Sequence, residues 1–132
     1  MKRWLCALLG ALAATTLVRG GSGIALGDLD MMFSGTIIDN ACASAHKAGL
    51  DEFIKTHAKE CAIAQAYMGS GYSIYSLGKV GGNLRGILYE FDSASSAKIG
   101  EFLKNRESSL EVTVTVQKVG GKLSLVSIEN RK

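Results

Sequence analysis

The chain has no proline, only two histidines and, after residue 18, no long hydrophobic run. Each shortage excludes something. Without proline, glycine must punctuate the regular elements. Without long apolar runs, each strand buries one face, which agrees with a small barrel. No Cys-x-x-Cys-His occurs, which excludes a covalent c-type haem. No carboxylate pair, phosphate loop or triad pattern supplies an enzyme's machinery. Lysine and arginine are not clustered, so the footprint of a nucleic-acid binder is missing.

What is present begins with Lys2 and Arg3, ahead of an apolar run from Trp4 to Val18. A charged start and a run of that length predict a secretory signal peptide over residues 1–27. The run is short for a membrane span, which needs about 20 apolar residues. Arg19 ends it, and Ala25-Leu26-Gly27 offers small residues for cleavage before Asp28. An uncleaved N-terminal anchor is the alternative; otherwise the mature chain carries no membrane span. The net charge of +3 comes from 15 basic and 12 acidic residues. Lys2, Arg3 and Arg19 belong to the leader, which holds no acid, so the remainder has 12 of each and is formally neutral. The expected location is exported, periplasmic or extracellular, where disulfides form. Residues 28–132 form one domain of about 105 residues, enough for an adequate core.

Along that domain the pattern reads strand, helical segment, two strands, helix, two strands. The first strand is 33–39. Residues 41–68 are helical, with Leu50, Phe53, Ile54, His57 and Cys61 on one stripe. Strands follow at 72–77 and 84–91, separated by a glycine-rich loop, Gly78 to Asn83. Asp92 or Ser93 caps a helix from about Ala94 to Asn105, with Ile99, Phe102 and Leu103 as its buried face. Val112, Val114 and Val116 share one face of the next strand. Gly120-Gly121 turns the chain into a final strand, 123–129, with Leu123, Leu125 and Ser127 on one face. The class is α+β, mainly β with helices. The order β-(helical insertion)-β-β-α-β-β is that of an OB-fold-like five-stranded barrel, with the insertion at 41–68.

Both cysteines after the leader and both histidines fall within that insertion, as Cys42-x3-His46 and His57-x3-Cys61. One unbroken helix would hold the two cysteines roughly 28 Å apart. A disulfide needs Cα atoms roughly 5.5 Å apart, so they meet only if the chain reverses. Ala48-Gly49 is the expected bend. Asp51 then caps a second helix, with Glu52 near its positive end. The favoured reading is a structural disulfide between Cys42 and Cys61, worth about 3 kcal/mol. The alternative is a zinc or copper site made by Cys42, His46, His57 and Cys61. Otherwise these residues are simply packed, with His57 in the apolar stripe. A Cys/His pair alone has no oxyanion donor or orienting third group, so nucleophilic catalysis lacks support. Tyr72, Tyr75, Tyr89 and Phe91 lie on strands that OB-folds use for stacking, but aromatics are ordinary strand residues. Asp51, Glu52 and Glu60 read as a solvated helix face, and Met31 and Met32 as part of a flexible tail.

Several of these segments carry a resemblance. Asp39-x2-Cys42-x3-His46, Thr56-His57-x2-Glu60-Cys61-Ala62, Ser70-Gly71-Tyr72 and Leu88-Tyr89-Glu90-Phe91-Asp92 resemble a group of small exported bacterial proteins of unknown function. The likeness spans roughly residues 33–130. It implies an OB-fold-like domain and no enzymatic activity. Members often carry glycine after the first cysteine and a further cysteine near position 67; this chain has Ala43 and Tyr67. The expectation is an exported, non-enzymatic binding or interaction module, without a cofactor, whose insertion a disulfide staples. Its ligand and partner are not specified.

Overall fold

A computed structural model describes residues 29–132. The signal-peptide segment, 1–27, lies outside the described residues. The elements are β1 (Met31–Asp39), α1 (Asn40–Ala45), a 3-10 turn (Lys47–Gly49), α2 (Leu50–Thr56), α3 (Lys59–Ala62), α4 (Gln65–Met68), β2 (Tyr72–Val80), β3 (Asn83–Glu90), α5 (Ser93–Lys104), β4 (Glu111–Val119) and β5 (Lys122–Asn130). The α+β class is found: five antiparallel strands form one sheet, ordered β3-β2-β1-β4-β5. None of the helices among the described residues is long and apolar enough to cross a membrane.

Valine-rich alternation makes β4, whose Val112, Val114 and Val116 are fully buried. Ile37, Ile74, Leu123 and Leu125 join them from the other strands, and Ile99 and Leu103 of α5 cover the same core. Asp92 caps α5, accepting from Ser95 N at 2.8 Å. Two hydroxyls in the first turn of α5 then reach strands on opposite sides of the central β1. Ser96 Oγ accepts from Tyr72 N in β2 at 3.0 Å, and Ser95 Oγ from Leu125 N in β5 at 2.7 Å.

The helix thus draws the sheet into a strong curl. Phe91 forms one parallel bridge with Leu123, beside a 2.9 Å bond from Asp92 N to Leu123 O. Elsewhere β3 and β5 remain the edges of the sheet, so the expected five-stranded barrel is not closed.

Four local expectations need correction. The loop from Gly78 to Asn83 is instead a tight hairpin: β2 runs to Val80, and Gly81-Gly82 alone turns the chain with φ of 59° and 84°. The same tetrapeptide, Lys-Val-Gly-Gly, closes the β4–β5 hairpin through Gly120-Gly121. In β5 the inward alternation breaks after Leu125, because Thr115 pairs with Ser127 while Val116 pairs with Leu125. That bulge leaves Val126 exposed and returns Ile128, not Ser127, to the core. Met31 and Met32 are not a tail but the start of β1, paired with Val116 and Thr115. Finally, residues 41–68 form four short helices rather than one segment with a continuous apolar stripe. Helices this short are marginal alone, so tertiary anchors decide where each one stops.

Gly35 marks where β1 changes partner. Up to Thr36 it pairs with β4, and from Thr36 onward with β2. A Cβ at Gly35 would strike the Tyr75 carbonyl and come within 2.9 Å of Ile74 Cγ1. Glycine allows this close backbone approach. Gly35→Val is therefore expected to cost about 2 kcal/mol or more in urea unfolding, since the obstacle is backbone. A change under about 0.5 kcal/mol, the surface-substitution range, would show that the crossing is not tightly packed.

Candidate functional site

The end of β1 sets the site. Asp39 leaves the strand with extended backbone angles and caps α1, its Oδ2 accepting from Cys42 N at 2.8 Å. Its Oδ1 lies 3.1 Å from His57 Nε2. Both side chains are fully buried, with 0% exposure each. Donor atoms of Asp39, Cys42 and His57 all lie within 4.8 Å of one another.

His57 reaches this place because α2 stops at Thr56. Its own backbone is extended, with φ −64° and ψ 123°. The 3-10 turn at Lys47–Gly49 supplies the expected bend and sends the chain back towards β1. The second break, at His57-Ala58, was not foreseen. Beyond it Cys61 lies exposed on α3, Cys42 is half-buried, and both thiols are free. The expected Cys42–Cys61 disulfide is therefore not formed. Asp51 is not a cap either: Gly49 holds that position, and the Asp51 carboxylate accepts from Tyr75 Oη.

The four-residue Cys/His set does not assemble as a unit. Only Cys42 and His57 come together, and Asp39 replaces the other two. His46 is exposed and stacks on Phe53 at 3.7 Å between ring centroids, with His57 tilted near the same ring at 5.3 Å. Asp39 is absent from the expected site; the signal that points to it as a cap is a short acid at a strand end directly before Asn40-Ala41-Cys42. Its partnership with His57 spans 18 residues and had no local signal.

Electrostatics define what the cluster can do. Burial, with Asp39 as hydrogen-bond partner and neighbouring charge, pushes the Cys42 thiol up to about 11. It is therefore protonated at neutral pH, the reverse of an activated nucleophile. Burial holds His57 below its ordinary value, although the Asp39 charge opposes that. A neutral ring donating through Nε2 to Asp39 leaves Nδ1 as a buried atom without a hydrogen-bond partner.

A second feature lies on the outer face of β1–β3, beside α2. It is an open cleft of about 1060 Å³. Met32, Leu77 and Leu84 project there, 72%, 65% and 67% exposed, with Arg85 and Arg131 at the margins. Tyr75 forms part of the wall; its ring overlies Gly86, where any Cβ would collide with it. Of the remaining aromatics, Tyr72 and Phe91 are core residues and Tyr89 stacks on Phe33 at 5.2 Å. No local run or period marks the cleft, because its exposed apolar side chains come singly from three strands: Met32 from β1, Leu77 from β2 and Leu84 from β3.

No family model, no curated protein and no solved structure matches this chain.

Two outcomes are expected. At pH 8, iodoacetamide should label Cys61 much faster than Cys42 in the native protein, with both reacting in urea; equal native rates would contradict the protonated, half-buried Cys42. His57 also makes stability pH-dependent. Its folded value lies below the ordinary 6.5, so the unfolded chain takes up the proton first as pH falls. The stabilisation is complete above about pH 6.5 and drains away below it. The melting temperature should fall between pH 7 and 5, and His57→Gln should flatten that part of the profile. An unchanged slope in the variant would assign the effect elsewhere.

Proposed function

We propose that the chain is an exported, non-enzymatic binding module of OB-fold type that holds an extended polypeptide segment of a partner in the cleft beside α2. The observation that carries this reading is the exposure of Met32, Leu77 and Leu84 around one opening of about 1060 Å³. Three large apolar side chains converging on a concave surface favour a ligand with apolar groups of its own. The strand order supports the OB-fold element of the reading. A β1-β2-β3 meander, a helix and a β4–β5 hairpin returning to β1 follow that fold's sequence, and the Phe91–Leu123 bridge joins its two edges in parallel. OB-folds take ligands on the face of strands two and three, next to the loop joining strands one and two. The cleft has that position, and the insertion is that loop.

Peptide is favoured over bases or sugars because stacking ligands need free aromatic faces. Tyr72 and Phe91 are buried, Tyr89 is paired with Phe33, and Tyr75 is held by Asp51. Arg85 and Arg131 form no ion pair among the described residues, and so suit an acidic group on the peptide. The protonated Cys42 agrees with a non-enzymatic role. Export rests on residues 1–27.

The test is amide chemical-shift mapping with three probes: a pool of unstructured acidic–apolar peptides, a short single-stranded oligonucleotide and a cello-oligosaccharide. Peptides should shift Leu77, Leu84 and Arg85, and Leu84→Glu should weaken them at least about tenfold. Shifts from the oligonucleotide or sugar alone, or peptide shifts confined to another face, would overturn the reading.

A further inference from the structure

We infer that Asp39, Cys42 and His57 form a binding site for one thiophilic divalent ion, zinc above all. The site goes beyond the cleft reading and shares no residue with it.

Two features of the cluster carry the inference. The donors are one carboxylate oxygen, one sulfur and one imidazole nitrogen, all within 4.8 Å of each other. Sulfur and imidazole together suit zinc, while magnesium and calcium prefer oxygen alone. The spacing is already close to a coordination sphere. Zinc–nitrogen and zinc–oxygen bonds of about 2.0–2.1 Å at a tetrahedral angle place those ligand atoms roughly 3.3 Å apart. Asp39 Oδ1 and His57 Nε2 are 3.1 Å apart.

The second feature is charge. Asp39 is fully buried, and its only partner in any ion pair among the described residues is His57, a ring that carries charge only when protonated. No lysine or arginine among the described residues pairs with it; the nearby Lys59 instead donates to Asn105 O and Ser108 O at 2.6 and 2.7 Å. A buried carboxylate without a cation is costly, and a divalent ion supplies the missing charge. His57 Nδ1 is buried and has no partner, so it is free to hold the ring proton when Nε2 binds the ion.

The protons balance. The ion replaces the Cys42 thiol proton, which leaves to solvent. It also takes the Nε2 lone pair of His57, and the ring proton moves to Nδ1. That atom has no hydrogen bond to lose. Asp39 Oδ1 turns from the imidazole to the metal, while Oδ2 keeps its bond to Cys42 N and goes on capping α1. Three protein ligands leave a fourth position for water. The ligands come from the end of β1, the first turn of α1 and the break after α2, so the fold itself brings them together.

Cobalt(II) and zinc are the probes, added to the reduced chain. Cobalt should produce a thiolate charge-transfer band and tetrahedral d–d absorption, and zinc should bleach both at one equivalent. Zinc should also raise the melting temperature and release protons from the protein. Cys42→Ser should abolish the band and weaken zinc at least about 100-fold. Asp39→Asn, which can still cap α1, should weaken zinc while leaving the fold intact by circular dichroism. Cys61→Ser and His46→Gln should leave both ions bound as before. No cobalt band and no zinc-dependent shift in melting temperature would overturn the proposal. So would a band that survives Cys42→Ser or needs Cys61 and His46. Peptide shifts at Leu84 do not bear on it, so this site and the cleft can fail separately.

Discussion

One buried carboxylate organises half of this molecule. Asp39 ends β1, caps α1 and holds His57, so one side chain joins the sheet to both ends of the Cys42–His57 loop. Such a charge survives in the interior only when its oxygens are occupied. Here an amide and an imidazole occupy them. Removing the carboxylate would leave the first turn of α1 uncapped and the His57 ring without any polar partner. Cys42 would meanwhile lose the group that, with burial, holds its proton in place.

The sheet obeys a different rule. Its core is aliphatic, with Val112, Val114, Val116, Ile37 and Ile74 fully buried, and area burial stabilises it. Polar groups enter that layer only as fasteners. Ser95 and Ser96 do so because a serine hydroxyl is small enough to sit under a helix and still accept a strand amide. These two bonds curl the sheet until Phe91 meets Leu123, while the far ends of β3 and β5 stay apart. The cleft and the curl therefore share a cause. A flat sheet would have no concave face for Met32, Leu77 and Leu84 to border.

Much of the sheet was legible because period-two alternation and the paired glycines are local signals. Asp92 and the buried face of α5 at Ile99 and Leu103 were equally plain. The error in β5 came from a one-residue bulge, which composition does not announce. The insertion was harder. Its bend at Ala48-Gly49 could be read from glycine, but the break at His57-Ala58 carries no glycine or proline and follows from the long-range bond to Asp39. Tertiary contacts overruled the helical stripe there, as they do wherever helices are too short to hold themselves. The cluster was half visible: Cys42 and His57 stood out by residue type, whereas Asp39 read only as the end of the first strand.

The insertion touches the body of the protein mostly through polar points. His57 meets Asp39, Lys59 grips the carbonyls after α5, Tyr72 Oη donates to Ala62 O at 2.6 Å, and Tyr75 Oη meets Asp51. Ala62 alone of residues 41–68 belongs to the buried core cluster, with Ile63 against it. A segment pinned at a few spots, with little oil beneath it, is expected to open before the paired strands do. Each such excursion would bare the carboxylate, the sulfur and the imidazole together. The buried trio thus has its own doorway, hinged on contacts that water can replace one for one.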